Sequence, residues 1–267
     1  MQPMVSIAVR AARSAGNIIV RALDRVDTLQ IIEKKQNDFV TEVDQRAEQE
    51  IIKTLRRAYP DHAIIAEESG EQNKRDSEYT WIIDPLDGTT NFLHGFPQFA
   101  VSIALRHKNK TQHAVVYNPV NDEMFTASRG EGAQLNERRI RVAKRKSLQG
   151  ALLATGIPFR EDQDLDLYLA TLKPMIEGTA GVRRAGSAAL DLAYVAAGRF
   201  DGFWEFGLNS WDMAAGCLLI EEAGGVLTDF AGDDNYLDSG NVVAGNLKVH
   251  AEMMRRLNEI IPTNERR

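Results

Sequence analysis

Trp81-Ile82-Ile83-Asp84-Pro85-Leu86-Asp87-Gly88-Thr89-Thr90-Asn91-Phe92 changes character at its fourth residue. Trp81, Ile82 and Ile83 are aromatic or β-branched and apolar, and read as the end of a buried β-strand. Polarity then switches, with the carboxylates Asp84 and Asp87 on either side of Pro85 and Leu86. Proline fixes φ and has no N–H to donate, so a tight turn here points both acids to one side. Gly88 lets the backbone approach a ligand closely. Thr89, Thr90 and Asn91 carry capping chemistry for a helical turn, where unpaired N–H groups hold anions. Acids for a hard cation beside donors for an anion suit magnesium plus phosphate. The same residues also write an ordinary surface turn, and the stretch alone leaves both readings open.

Upstream, Met4, Ile7, Ala8, Ala11, Ala15, Ile18, Ile19 and Ala22 recur at three- and four-residue spacing, which predicts an amphipathic helix from Met4 to Leu23. A loop is expected around Asn37. A second helix starts near Thr41 to Asp44, both good caps, and stops before Pro60. His62 to Ala66 reads as a short strand ending at Glu67, and Glu71 to Ser77 as an exposed loop. Downstream, Phe99 to Leu105, His113 to Tyr117, Glu123 to Ala127 and Gln134 to Val142 have strand character, punctuated by turn residues. Successive strands without helices predict an antiparallel sheet carrying the first two helices.

Near Ser147 the pattern changes to alternating strands and helices, ending in a helix from Val249 to Ile260. The expected class is therefore α/β (mixed α+β). A soft boundary separates an N-terminal α+β half, 1–147, from a C-terminal α/β half, 148–267. The interface between the halves is a natural place for a site.

Composition narrows the function classes. The chain has 267 residues, 43% hydrophobic and 26% charged, as expected of a soluble globular protein. A formal net charge of −6 does not indicate bulk attraction to nucleic acid or acidic membrane. The basic residues from Arg138 to Lys146 read as a solvated face. No apolar stretch is long enough to span a bilayer. The one cysteine, Cys217, sits in an apolar run and reads as a buried helix residue. With no signal-peptide pattern near the N-terminus, a reducing, cytoplasmic setting is expected. The five histidines show no paired zinc spacing, and no Walker loop appears.

Acids recur where strands stop or helices start: Asp44, Glu67, Asp84, Asp87 and Asp212. Asp44 and Asp212 each have a plainer reading as favourable charges in a first helical turn. Together the five offer enough oxygen ligands for two or three magnesium ions.

These motifs, taken in order, resemble the inositol monophosphatase family. The resemblance rests on Asp84 to Phe92, on Glu67-Glu68-Ser69, and on Asp38-Phe39-Val40-Thr41 with Asp44. It rests also on Trp211-Asp212-Met213-Ala214-Ala215-Gly216 running on to Glu221-Glu222-Ala223-Gly224-Gly225. Ala154 to Phe159 and Gly186 to Gly198 point to a bacterial branch of that family. The resemblance covers almost the whole chain and implies a layered αβαβα sandwich, of the type shared with fructose-1,6-bisphosphatase, in a homodimer. It implies Mg²⁺-dependent, lithium-sensitive hydrolysis of a phosphomonoester, inositol 1-phosphate, by a metal-activated water. By position, Glu67, Asp84, the Leu86 carbonyl, Asp87 and Asp212 would hold metal. Gly88 and Thr89 would meet the phosphate. Gly186, Ser187, Ala188, Glu205 and Asp212 would face the inositol. Glu67, Thr89 and, behind it, Asp44 would act on the water. A 3′(2′),5′-bisphosphate nucleotidase or a fructose-1,6-bisphosphatase keeps the same metals but needs added cations, for which Arg183 and Arg184 are placed; a salt bridge at a subunit interface is the plainer role for that pair. The bacterial branch implies a further possibility of another class, binding to transcription antitermination proteins or RNA in complexes that make ribosomal RNA.

Overall fold

The computed structural model describes residues 2–26, 31–35, 38–72, 77–158 and 164–266. Asn37 and the middle of the expected 71–77 loop lie outside them.

The chain begins with helix α1 (Pro3–Leu23), an antiparallel hairpin of β1 (Ile31–Lys35) and β2 (Asp38–Thr41), and helix α2 (Glu42–Ala58). A large sheet follows, made of β3 (Ala63–Ala66), β4 (Gly70–Gln72), β5 (Tyr79–Asp87), β6 (Ala100–His107), β7 (Lys110–Asn118), β8 (Glu123–Ser128), β9 (Gly132–Leu135) and β10 (Arg138–Arg139), with the short helix α3 (Thr89–Leu93) after β5. Its order is β10-β9-β8-β7-β6-β5-β3-β4, antiparallel except where β3 runs parallel to β5. Then come β11 (Leu152–Thr155), α4 (Leu165–Ile176), β12 (Gly181–Arg183), α5 (Ala188–Ala196), β13 (Gly202–Glu205), α6 (Ser210–Glu222), β14 (Val226–Thr228), α7 (Tyr236–Ser239), β15 (Val242–Gly245) and α8 (Leu247–Asn258). Their strands form a mixed sheet of order β12-β11-β13-β15-β14.

Strand alternation sorts the side chains into separate cores. On β5, Trp81 and Ile83 join the core under α1 and α2, whereas Ile82 joins the core of α5 and α6. On β13, Phe203 faces α5 and α6, while Trp204 faces the outer core of α4 and α8. The layers therefore run α1–α2, large sheet, α5–α6, small sheet, α4–α8, which is an αβαβα sandwich. α6 sits between two sheets, and Met213 through Ile220 are all buried. That explains why α6 is apolar on every side rather than amphipathic. Cys217 lies in this buried run, and its burial pushes the thiol well up, as befits an inert core residue.

Three local expectations are corrected. The strand read as ending at Ile83 continues to Asp87, without the tight turn at Asp84. Pairing with β6 joins Asp84 to Ser102 and Asp87 to Ala100, so β5 carries one extra residue there. That is a bulge, and Pro85, which cannot donate to a ladder, falls inside it. Gln134 to Val142 is not one strand but two, split by Asn136 and Glu137 at φ 46° and 65°. Gly70–Gln72, at the start of the expected loop, instead pairs with β3 as an edge strand.

Candidate active site

The β5 bulge delivers Asp84, Leu86 and Asp87 to one place. Asp84 is 1% exposed, and its Oδ1 accepts the Leu86 N–H at 3.0 Å. Asp212 arrives from the first turn of α6, held there because its Oδ2 accepts the Asn209 N–H at 2.7 Å. Asp84, Asp87 and Asp212 each bring a carboxylate oxygen within 4.8 Å of one another. Glu67 follows β3, and its backbone N–H donates to the Ile83 carbonyl at 3.1 Å, beside Asp84.

Such crowding is costly. Burial, then Glu67, Asp87 and Asp212 in that order, drive the Asp84 carboxyl well above the usual range. Burial raises Asp87 to about 6, against the pull of the Ser187 hydroxyl and the Ala189 and Ala188 N–H groups. The donors here are all oxygen, with no histidine or cysteine among the residues lining the cleft. A hard divalent cation fits such a set, because it offsets the mutual repulsion and prefers carboxylate oxygen.

Glu67, Asp84, Leu86, Asp87, Gly88, Thr89, Gly186, Ser187, Ala188, Glu205 and Asp212 all line one cleft. Asp44 does not line it. It caps α2, accepting the Thr41 N–H at 2.9 Å on Oδ2, while its Oδ1 lies 3.0 Å from the Thr89 hydroxyl. Leu86 O lies 3.1 Å from the same hydroxyl and competes for its one proton. Burial raises the Asp44 carboxyl, and hydrogen bonds from Thr41 and Thr89 oppose that rise. The plain readings of Asp44 and Asp212 as helix-start acids thus hold alongside their place at the site.

Gly88 closes the strand at φ 97°, and a Cβ there would stand 2.9 Å from Gln98 O and 3.1 Å from Gly186 O. Only glycine lets these two loops meet. Asn91 completes the seam: its Nδ2 donates to Gln98 O at 2.7 Å and Ala185 O at 2.8 Å, with Gly186 O at 3.3 Å. Sequence reasoning gave Asn91 only a capping role. It also missed Thr155, Gly156 and Asp191 in the cleft wall; Arg184, weighed both as a cation for a second phosphate and as an interface salt bridge, lines the cleft. Asp191 carried a signal, being a lone acid in an apolar helix.

The matching family model, described as the inositol monophosphatase family, spans residues 1–263. The chain belongs to that family. Within it, the chain is 56% identical to a protein named Nus factor SuhB from Pseudomonas aeruginosa, over 271 residues that cover all of both. The solved structure of extragenic suppressor protein suhB from Bartonella henselae is 46% identical with a TM-score of 0.94, covering 97% of this chain and all of that one. Inositol monophosphatase from Anabaena is 38% identical with a TM-score of 0.83, covering 97% of each chain.

Proposed function

We propose that the cleft hydrolyses a phosphomonoester of a polyol, inositol 1-phosphate, to the free alcohol and phosphate in the presence of Mg²⁺. The observation that carries this reading is the convergence of Asp84, Asp87 and Asp212 within 4.8 Å at the floor of a cleft. With Glu67 and the Leu86 carbonyl they would hold two or three ions. When bound, the ions supply Lewis acidity and lower the pKa of water.

The chain's own groups do the rest. Glu67 orients the attacking water. The Thr89 hydroxyl, hydrogen-bonded to Asp44, relays the proton that water loses, and burial, which raises the Asp44 carboxyl, makes it the better proton acceptor. Gly88 and Thr89 face the phosphate, where donors offset charge that builds on the equatorial oxygens. Gly186, Ser187, Ala188, Glu205 and Asp212 face the hydroxyls of the leaving alcohol. We also take the halves 1–147 and 148–267 as two units that are joined across the cleft, in a cytoplasmic homodimer. No helix among the described residues is long and apolar enough to cross a membrane.

A phosphate-release screen over inositol monophosphates, a nucleoside 3′,5′-bisphosphate and a sugar bisphosphate tests the substrate class. Release is expected first from the inositol monophosphate. Preference for either bisphosphate would replace the reading by one of its siblings.

Similarity along the whole chain to a protein named Nus factor favours a second reading beside the first. The chain would also bind transcription complexes that make ribosomal RNA, through a surface rather than through catalysis. Asp84→Asn separates the two: it should slow phosphate release by about 10²-fold or more and leave that binding intact.

A further inference from the structure

Helix α5 stands between the two sheets, and each of its residues from Ala188 to Ala196 is buried. One of them is an acid. Asp191 is 1% exposed, and its Oδ1 is buried with no hydrogen-bond partner. It nevertheless lines the cleft. Ser187 lies four residues earlier and on the same face, accepting the Asp191 N–H at 3.0 Å on its carbonyl. Its charged neighbours are Glu205, Asp87 and Arg184.

A buried carboxyl oxygen without a partner costs free energy, and an aliphatic residue of similar size would suit the rest of this helix. Proton transfer by Glu67, Thr89 and Asp44 makes no use of Asp191. A group that arrives with the substrate would satisfy it. Glu205 and Asp87 disfavour a second anion beside it. A hydroxyl fits, because it can donate to a carboxylate or accept from a carboxylic acid.

We propose that Asp191 is a specificity-determining residue of the cleft that hydrogen-bonds a hydroxyl of the polyol esterified to the phosphate. This rests on the phosphomonoesterase reading above. It differs from that reading in what it predicts for binding alone.

The test uses the full chain with Mg²⁺ and two ligands whose P–C bond survives the titration, the phosphonate analogue of inositol 1-phosphate and phenylphosphonate. Asp191→Leu should weaken the inositol phosphonate by about ten-fold or more, the loss expected when a site loses its partner for a substrate hydroxyl. Phenylphosphonate, which has no ring hydroxyls, should bind within about two-fold of wild type. Asp191→Asn, which keeps both a donor and an acceptor, should discriminate as wild type does. If Asp191→Leu does not melt cooperatively, Asp191→Ala carries the same comparison. Equal affinities in variant and wild type, an equal loss for both ligands, no binding of the inositol phosphonate by wild type, or failure of both variants to fold would each overturn the proposal. Wild type that binds the inositol phosphonate yet releases no phosphate from the ester sinks the hydrolysis reading instead, and leaves Asp191 to be judged by these affinities.

Discussion

The Ser187 hydroxyl donates to Asp87 Oδ2 at 2.6 Å, and the Ala189 N–H donates to the same oxygen at 2.7 Å. Asp87 ends a strand of the large sheet, and Ser187 caps a helix that leads into the small sheet's territory. One carboxylate is therefore shared between the large sheet and helix α5. Ser187→Ala removes a donor to a half-buried acid and a helix cap together, and is expected to lower stability by about 1–3 kcal/mol in urea unfolding. It also raises the Asp87 pKa, because the lost bond favoured the charged form. Mg²⁺ should bind more weakly to the variant in calorimetric titration.

Asn91 sews the same seam from the other side. Asn91→Ala leaves the carbonyls of Gln98 and Ala185 without their amide donor, and should cost about 1–3 kcal/mol. Asn91→Asp should be worse, since it would turn a carboxylate oxygen toward those carbonyls. Thermal melts of the two variants check the order.

Gly156→Ala is a probe of substrate contact rather than of stability. A Cβ at this position would stand 1.7 Å from Glu205 Oε1. Glu205 must swing aside, and a flexible side chain can do so at small cost. The expected result is a melting temperature close to wild type with a KM for inositol 1-phosphate raised about ten-fold. A fall in kcat alone would argue that Glu205 acts elsewhere.

Metal binding should depend on pH in a defined sense. Asp87 is raised to about 6 and Asp84 lies well above the usual range, both chiefly by burial. A carboxyl whose folded pKa exceeds its unfolded value takes up its proton first in the folded chain. For Asp87 the cost of burying its charge is complete above about pH 7 and is relieved as pH falls through about 6. Protons then compete with Mg²⁺ for the same oxygens. The gap in melting temperature between protein in Mg²⁺ and protein in chelator should be widest above about pH 7 and shrink below 6. Taking the difference cancels groups remote from the site, such as the half-buried His62, whose pKa burial lowers.

Much of this was legible in the residues. The spacing of Ala8, Ala15 and Ile19 wrote α1, and successive apolar strands punctuated by turn residues wrote the large sheet. The clustering of Glu67, Asp84, Asp87 and Asp212 followed from acids placed where strands stop and helices start. What escaped depended on tertiary placement. The β5 bulge needs its partner β6 to be defined, since Asp-Pro-Leu-Asp reads equally as a turn. The break at Asn136 and Glu137 needs positive φ at both residues, and only Asn136 advertises it. Asp191 stands out in the sequence as a lone acid in an apolar helix, but only the packing of α5 ties it to the cleft.

The most direct measurement is phosphate release from inositol 1-phosphate in Mg²⁺ by wild type and by Asp84→Asn, with both proteins shown to be folded by circular dichroism. Asp84 lies at the centre of the acid cluster and is almost wholly buried. Wild type should turn over and stop when Mg²⁺ is chelated, and the variant should be slower by about 10²-fold or more. No release by wild type, or equal rates for the two proteins, would contradict a metal-dependent phosphomonoesterase built on Asp84, Asp87 and Asp212.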